Sequence, residues 1–159
     1  MSSDKENDDH KIIIHVGPAG KVGEGVHSHH EFLITSNLFT ASKVSNHRRY
    51  SDFVWLHGQL SRECAGFIIP PLPEKALNAL QGPEFLKYRR LGLQLFLNSV
   101  KLHPALRGAR CLKDFLLSNA VEFTAAKSTA QTMASNSSGS AAGAKKDAIS
   151  SWWGKTYQR

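Results

Sequence analysis

The stretch Arg48-Arg49-Tyr50-Ser51-Asp52-Phe53 decides the fold, because strand-like patterning gives way to helical patterning within it. Residues 42–50 are predicted to form a polar strand that lies at a sheet edge or lines a site. Leu56 and Leu60 follow Phe53 at helical spacing. The Ser51 hydroxyl is predicted to cap this helix, since it can accept a hydrogen bond from an unpaired backbone N–H.

Two adjacent arginines end the predicted strand. Successive side chains on a strand point to opposite faces, so only one of Arg48 and Arg49 can face a given pocket. Arginine presents a fork of donors that matches phosphate oxygens, and the neighbouring Tyr50 ring can form a wall for a flat polyol. The alternative interpretation of these three residues is a solvated basic strand end.

The residues before this stretch predict further strands. Residues 12–14 begin one apolar run and residues 31–35 form a second, β-rich one. Between them, the glycines within 17–20 and 23–25 predict a loop.

The residues after it predict helices and one extended segment. Gly66 ends the first helix, and residues 68–73 (IIPPLP) cannot be helical because each proline restricts the residue before it. This segment is predicted to be polyproline-like. A long helix is predicted from Pro83 to about residue 103 and a short one over residues 110–117.

Arg89 falls inside the apolar stripe of the long helix when residues are placed about 100° apart on a helical wheel. A guanidinium that faces a core is costly unless an anion meets it. The side chain therefore forms an internal salt bridge, extends to the surface, or belongs to an anion site.

Lys75 follows the proline-rich segment, where prolines hold a loop in one shape. We expect Leu72, Leu77 and Leu80 to give this loop an apolar, membrane-contacting surface. The alternative is that Leu77 and Leu80 pack inward as a short helix. The PxxP pattern alone also fits a ligand of SH3 domains or a structural turn.

The charge distribution narrows the class of partner. The chain carries a net charge of +7 over 159 residues. Residues 43–113 contain 12 Lys or Arg and 4 Asp or Glu, a net of +8, which leaves −1 for the remainder. A basic surface suits an anionic membrane, an acidic protein or nucleic acid. No basic stripe interleaved with aromatic residues and no recognition helix supports specific nucleic-acid binding.

Several function classes lack the residues that they need. No stretch approaches the roughly 20 apolar residues of a membrane-spanning helix, and the acidic residues 1–9 are unlike a signal peptide. No nucleophile with a base and no P-loop is apparent, so we predict no catalytic residue and no cofactor. His27, His29 and His30 cluster without a further residue at ligand spacing, and no metal site is predicted.

Composition divides the chain into four parts. Residues 1–10 are predicted to be disordered, and residues 11–121 form the domain. Residues 122–144 are rich in Ser, Ala and Gly, which predicts a flexible linker. Residues 145–159 include Trp152-Trp153 between basic residues and are predicted to form an amphipathic tail that inserts in a membrane, docks on a partner or begins a further domain.

In their order and spacing these pieces resemble the phox-homology (PX) domain, and most closely that of sorting nexins with a BAR domain. The resemblance covers roughly residues 11–118. The similar segments are the first loop at 21–25, the strand-to-helix signature at 48–53, the proline-rich loop at 70–75, the long helix at 85–97 and the final helix at 112–116.

The resemblance implies an α+β fold, with a three-stranded antiparallel β-sheet packed on a helical subdomain of three to four helices and a proline-rich loop. The usual ligand of the family is phosphatidylinositol 3-phosphate. Carried over by position, Arg49 binds the 3-phosphate and Tyr50 packs against the inositol ring. Lys75 binds the 1-phosphate, and Arg89 holds the hydroxyls at positions 4 and 5.

The implied function is non-enzymatic membrane targeting in protein sorting. The protein is expected to be peripheral on the cytosolic face of endosomal membranes, with trafficking or coat proteins as further candidate partners. The alternative is a protein-interaction module with a basic surface, for which lipid binding is secondary.

Overall fold

The computed structural model describes residues 12–25, 28–75 and 82–136. The chain divides into two compact units, Met1–Ala126 and Lys127–Arg159. Within the described residues, the first unit contains three strands, four complete helices and the beginning of a fifth helix. The described part of the second unit, residues 127–136, is helical.

The sheet confirms the predicted three-stranded antiparallel arrangement. Its strands pair in chain order and are β1 (Ile14–Val22), β2 (His29–Ser36) and β3 (Val44–Arg49). Alternation along β2 buries Phe32 and Ile34 against the helices.

β1 continues through glycines that the sequence predicted to be a loop. Ala19 and Gly20 pair with β2, and Gly17 and Pro18 lie in a register shift between Val16 and Ala19. A Cβ atom on Gly17 would lie 3.2 Å from the backbone O of Leu33. Glycine here permits close approach of two strands instead of ending one, and the prediction of a loop at 17–20 was wrong for this reason.

Four helices follow the sheet; the bounds of three lie close to the predicted ones, and the short third helix was not predicted. They are α1 (Tyr50–Glu63), α2 (Pro83–Leu102), α3 (Pro104–Arg107) and α4 (Arg110–Leu117). The core lies between the sheet and α1, α2 and α4, and the apolar stripes of α1 and α2 face it as predicted. The stripes' buried residues are Phe53, Leu56, Leu60, Leu93, Phe96, Leu97 and Val100.

The N-cap of α1 is Arg49 and not Ser51 as predicted. The backbone N–H of Arg49 donates to a carboxylate oxygen of Asp52 at 3.0 Å. An acidic residue three positions into the helix thus satisfies a donor at the helix start. Ser51 consequently lies in the first turn, exposed.

A fifth helix, α5 (Ala120–Asn136), replaces the first part of the linker predicted at 122–144. The Asn119 side chain accepts from the N–H of Glu122 at 3.0 Å, and the Glu122 carboxylate accepts from the N–H of Asn119 at 3.0 Å. This reciprocal cap starts a helix that alanine propagates well. The small residues that we interpreted as a flexible linker thus favour a helix.

The domain also extends beyond residue 121, where the sequence analysis placed its end. Phe123 is buried in the core, and its ring meets those of Trp55 and Phe115 edge to face, with centroids 5.0 Å and 5.9 Å away. The predicted segments 1–10, 137–144 and 145–159 lie outside the described residues.

Arg48 is the buried member of the arginine pair, with only 1% of its surface exposed. Its Nε donates to the carbonyl oxygen of Phe115 at 2.9 Å and its Nη2 to that of Ser118 at 2.5 Å. The guanidinium lies 4.2 Å from the centroid of the Phe123 ring. Burial lowers the pKa of Arg48, and the carboxylate of Asp52 partly offsets this effect. Arg48 therefore ties β3 to the end of α4 and takes no part in a surface site.

The proline-rich segment runs extended, as predicted, along α2. Near the end of α2, the Phe67 ring meets that of His103 at 5.0 Å. Closer to the N-terminus of α2, Pro73 lies against Gly92. The segment therefore runs antiparallel to α2 and is seated on it at both ends.

Gly92→Ala is expected to destabilise the domain by about 1–2 kcal/mol, although alanine favours a helix by about 1 kcal/mol over glycine. A Cβ at this position would lie 2.8 Å from Cβ of Pro73. Gly58→Ala in α1 is the matched control, because nothing lies within 4 Å of its Cβ position, and it is expected to stabilise by up to about 1 kcal/mol. Urea unfolding of both variants measures the difference. Equal stabilisation by the two would show that Pro73 does not press on α2.

Candidate functional site

A pocket of about 250 Å³ opens where the start of β2, the β3–α1 junction and the N-terminal half of α2 meet. It brings together three of the four predicted headgroup-binding residues, Arg49, Tyr50 and Arg89. The remaining lining residues are Ser28, His29, His30, Phe32 and Ser51.

Arg49 presents its side chain to the pocket because the strand alternates. Arg48 is directed into the core opposite Phe32, whereas Arg49 pairs with Glu31 across the sheet. Its side chain is 52% exposed, and Nε lies 3.9 Å from a carboxylate oxygen of Asp52. This is a long, partly exposed ion pair that holds the guanidinium only weakly. The donors of Arg49 are thus accessible to an anion.

Arg89 lies between two aromatic rings. Its guanidinium carbon is 4.2 Å from the centroid of the Tyr50 ring and 4.3 Å from that of Phe85. Nη2 donates to the backbone oxygen of Glu74 at 3.0 Å. Within the described residues, Arg89 forms no ion pair with a carboxylate, and its buried Nε has no hydrogen-bond partner.

Of the three interpretations of Arg89, this arrangement supports the anion site. No internal salt bridge forms among the described residues, and the side chain is held half-buried between rings instead of extending freely into solvent. Burial lowers the pKa of Arg89, and the nearby Tyr50 partly offsets this, but an arginine stays charged in proteins. A positive charge with an unpaired buried donor favours an anion at this position.

Tyr50 connects the pocket to the proline-rich segment. Its hydroxyl donates to the carbonyl oxygen of Pro73 at 2.5 Å. Burial raises the pKa of Tyr50; Arg89 acts in the opposite direction and Glu74 in the same one. The hydroxyl therefore stays protonated and remains a donor at neutral pH.

Tyr50→Phe is expected to lower the free energy of unfolding by about 1 kcal/mol, because the variant loses this hydrogen bond and leaves the Pro73 oxygen unpaired. Tyr88→Phe is the matched control. Tyr88 is also on the surface of the domain, 69% exposed, and no hydrogen bond of its hydroxyl is found within the described residues. Urea unfolding should separate the two variants, and equal stability would contradict a structural role for the Tyr50 hydroxyl.

The wall of the pocket that β2 supplies was not predicted from the sequence. Ser28, His29 and His30 lie at the start of β2, and Nε2 of His29 lies 2.9 Å from a carboxylate oxygen of Glu31. We had considered the histidines only as metal ligands. The signal that could have placed them was the antiparallel pairing of β2 with β3, which sets residue 31 opposite Arg49.

Two other predicted residues lie elsewhere. Lys75 is exposed and does not line the pocket. The backbone oxygen of its neighbour Glu74 accepts a hydrogen bond from Arg89. Leu72 is half-buried and packs against the core. Only the exposed part of its side chain is therefore available for the predicted membrane contact, which stays a prediction. Leu77 and Leu80 lie outside the described residues.

Two other classes of site are absent from the described part of the chain. No group of three His, Cys, Asp or Glu in it is arranged to hold a metal ion, and His27 lies outside it. None of its helices combines the length and the apolar composition needed to cross a bilayer.

Residues 36–119, more than half of the 159-residue chain, match the family model of the PX domain. The chain therefore belongs to the PX domain family. The predicted resemblance is confirmed, and so is its fold class, since solved PX domains share the sheet and the helices that follow it.

The relatives in sequence are sorting nexins. The chain is 36% identical over 106 residues to human Sorting nexin-3, a match covering 60% of this chain and 65% of that protein. Mouse Sorting nexin-12 is 36% identical over 111 residues, covering 64% and 67%. Sorting nexin 1 of Arabidopsis thaliana is 35% identical over 123 residues, covering 73% of this chain and 31% of that protein. The chain thus spans about two thirds of the first two and about a third of the last.

Two solved structures are similar to the chain. A designed CISK-PX domain superposes with a TM-score of 0.60 at 27% identity, covering 67% of this chain and 99% of that one. The SNX-BAR Mvp1 tetramer gives a TM-score of 0.65 at 27% identity, covering 89% of this chain and 41% of that one. Together the family and its sorting nexin members support a non-enzymatic, phosphoinositide-binding module of membrane trafficking.

Proposed function

We propose that this PX domain recognises phosphatidylinositol 3-phosphate and so recruits the protein to membranes. The observation that carries the proposal is the pair of arginines, Arg49 and Arg89, which come from distant parts of the chain to one pocket. Two guanidinium groups in one small pocket repel each other unless an anion lies between them, and a phosphorylated inositol is such an anion.

Each residue has a distinct role in this proposal. Arg49 binds the 3-phosphate with its exposed fork of donors, and the Tyr50 ring packs against the inositol ring. Arg89, already fixed between two aromatic rings, holds the hydroxyls at positions 4 and 5. Because the rings of Tyr50 and Phe85 already restrict the Arg89 side chain, less side-chain entropy is lost when the ligand binds.

Lys75 completes the proposed site from outside the pocket wall. It follows Glu74, whose carbonyl oxygen is held by Arg89, so the position of its backbone is tied to the pocket. An exposed lysine at this point suits the 1-phosphate, which in a lipid continues into the membrane. Leu77 and Leu80, in the residues that follow, would enter the bilayer beside it.

The cellular role that fits this ligand is protein sorting at endosomes. The protein would be peripheral on the cytosolic face of these membranes, as its net charge of +7 favours an anionic surface. Trafficking or coat proteins would be its further partners.

A panel of vesicles that differ only in their phosphoinositide tests the proposal. Vesicles with phosphatidylinositol 3-phosphate should bind the chain most tightly, and soluble inositol 1,3-bisphosphate should compete for the pocket. Vesicles with the same charge supplied by phosphatidylserine control for general attraction to anions. Binding that follows vesicle charge regardless of the headgroup would overturn the assignment of the ligand.

A further inference from the structure

Helix α2 exposes a row of large apolar side chains on the side away from the core. Tyr88, Leu91, Leu95 and Leu102 are 69%, 43%, 67% and 75% exposed. At about 100° per residue they fall within an arc of about 60°. Single exposed apolar residues are ordinary on a protein surface, but a continuous row is typical of an interaction site.

The spacing of the row is that of a coiled-coil seam. Tyr88, Leu91, Leu95, Asn98 and Leu102 follow one another by three, four, three and four residues, the alternation of a and d positions in a heptad. These five residues are called the α2 seam. At 1.5 Å per residue the seam is about 21 Å long, which is enough for two heptads of a second helix.

The two flanks of the α2 seam differ in charge. The positions that precede each a residue carry Lys87, Gln94 and Lys101, whereas the opposite flank has the uncharged Gly92 and Ser99. Lys87 is exposed, Gln94 is hydrogen-bonded to β1, and the half-buried Lys101 donates from Nζ to the backbone oxygen of Ile12 at 3.3 Å. No acidic residue lies on the basic flank. A helix that packs on the seam with acidic residues facing this flank, above all the exposed Lys87, would complement its charge.

Two other occupants fit the α2 seam less well. A second copy packed antiparallel would place Lys87 opposite Lys101 of its partner, and like charges repel there. A membrane surface favours a wide apolar face, whereas an arc of about 60° is the narrower pattern of a helix-pairing seam. Leu102 also lies about 20 Å along α2 from Arg89 and the pocket.

We propose that the α2 seam docks an amphipathic helix of a partner protein, with apolar residues at heptad spacing and an acidic flank. The seam and the pocket lie on different sides of α2, since Arg89 is about 100° around the helix from Tyr88. The partner helix therefore leaves the pocket open, and the proposal does not depend on the identity of the lipid.

A synthetic helical peptide of about 21 residues, with leucine at the a and d positions and glutamate on the flanks, is the probe. The matched peptide has lysine in place of every glutamate. Fluorescence anisotropy with the full chain should show at least 10-fold tighter binding of the glutamate peptide, a preference that weakens as salt is raised. Equal binding of the two peptides, or no binding of either, would overturn the proposal.

Substitutions in the chain locate the peptide. Leu95→Ser combined with Leu102→Ser should lower the affinity for the glutamate peptide about 10-fold or more, while Val121→Ser, at a residue 80% exposed on α5, should change nothing. Lys87→Glu should remove most of the preference for the glutamate peptide, because Lys101 keeps its positive charge. All variants should keep the unfolding free energy and vesicle binding of the wild type.

The same variants show whether the α2 seam instead contacts a membrane or a second copy of the chain. If the double leucine variant loses vesicle binding but keeps the peptide, the α2 seam contacts the membrane. If it abolishes a concentration-dependent dimer detected by sedimentation velocity, the occupant is a second copy of the chain. Either result would overturn the proposal.

Discussion

Replacing Arg49 with alanine is expected to weaken binding to phosphatidylinositol 3-phosphate vesicles by about 30-fold or more. Removing one partner of a charge-assisted contact costs about 2–5 kcal/mol. The fold should survive, because the side chain is 52% exposed and its ion pair with Asp52 is long, at 3.9 Å. The cap of α1 uses the backbone N–H of Arg49, which alanine retains.

Vesicle co-sedimentation, with urea unfolding measured in parallel, checks this expectation. Arg62→Ala, which removes an exposed arginine from the last turn of α1, is the control for loss of net charge. It should reduce binding no more than a few-fold. If Arg49→Ala and Arg62→Ala bind equally well, Arg49 is not the residue that recognises the headgroup.

Replacing the neighbouring Arg48 with alanine is expected to lower the free energy of unfolding by about 3–5 kcal/mol. The substitution leaves the carbonyl oxygens of Phe115 and Ser118 without their donor and removes the guanidinium from the face of the Phe123 ring. Urea unfolding at one pH measures the loss.

Arg48→Met separates the two causes, because methionine fills much of the same space without donors. Arg48→Met should therefore be more stable than Arg48→Ala. It should remain less stable than the wild type, because the carbonyl oxygens of Phe115 and Ser118 still lack a donor. A loss below about 1 kcal/mol in Arg48→Ala would show that Arg48 does not tie β3 to α4. Substitution of Arg49 is thus expected to weaken vesicle binding, whereas substitution of the adjacent Arg48 is expected to lower stability.

The sequence predicted α1, α2 and α4 well because their signals are local. The apolar spacing of α1 and α2, Pro83 at the start of α2 and Gly66 after α1 all lie within the elements that they define. The wheel placed Arg89 inside the apolar stripe, and the structure has it half-buried between the rings of Tyr50 and Phe85. Alternation established that one arginine of the pair faces a pocket, but not which one, because the sequence does not say which face of β3 is covered.

The parts that could not be predicted depend on residues far apart in the chain. Gly17 lies within a strand because Leu33 passes close to it, and the β2 wall of the pocket exists because β2 pairs with β3. Leu72 packs inward because the proline-rich segment lies along α2, which the local sequence does not reveal. The linker prediction failed differently, since small residues are equally typical of a helix and of an unstructured segment.

The junction between β3 and α1 contains no loop, because β3 ends at Arg49 and α1 begins at Tyr50. One inserted residue before Arg49 would turn the next side chain to the other sheet face, and one inserted after it would rotate Tyr50 about 100° around the helix. Insertions and deletions are tolerated where exposed loops can absorb them. Homologous chains that bind the same headgroup should therefore vary in length before β3 or after α1, but keep this junction at constant length.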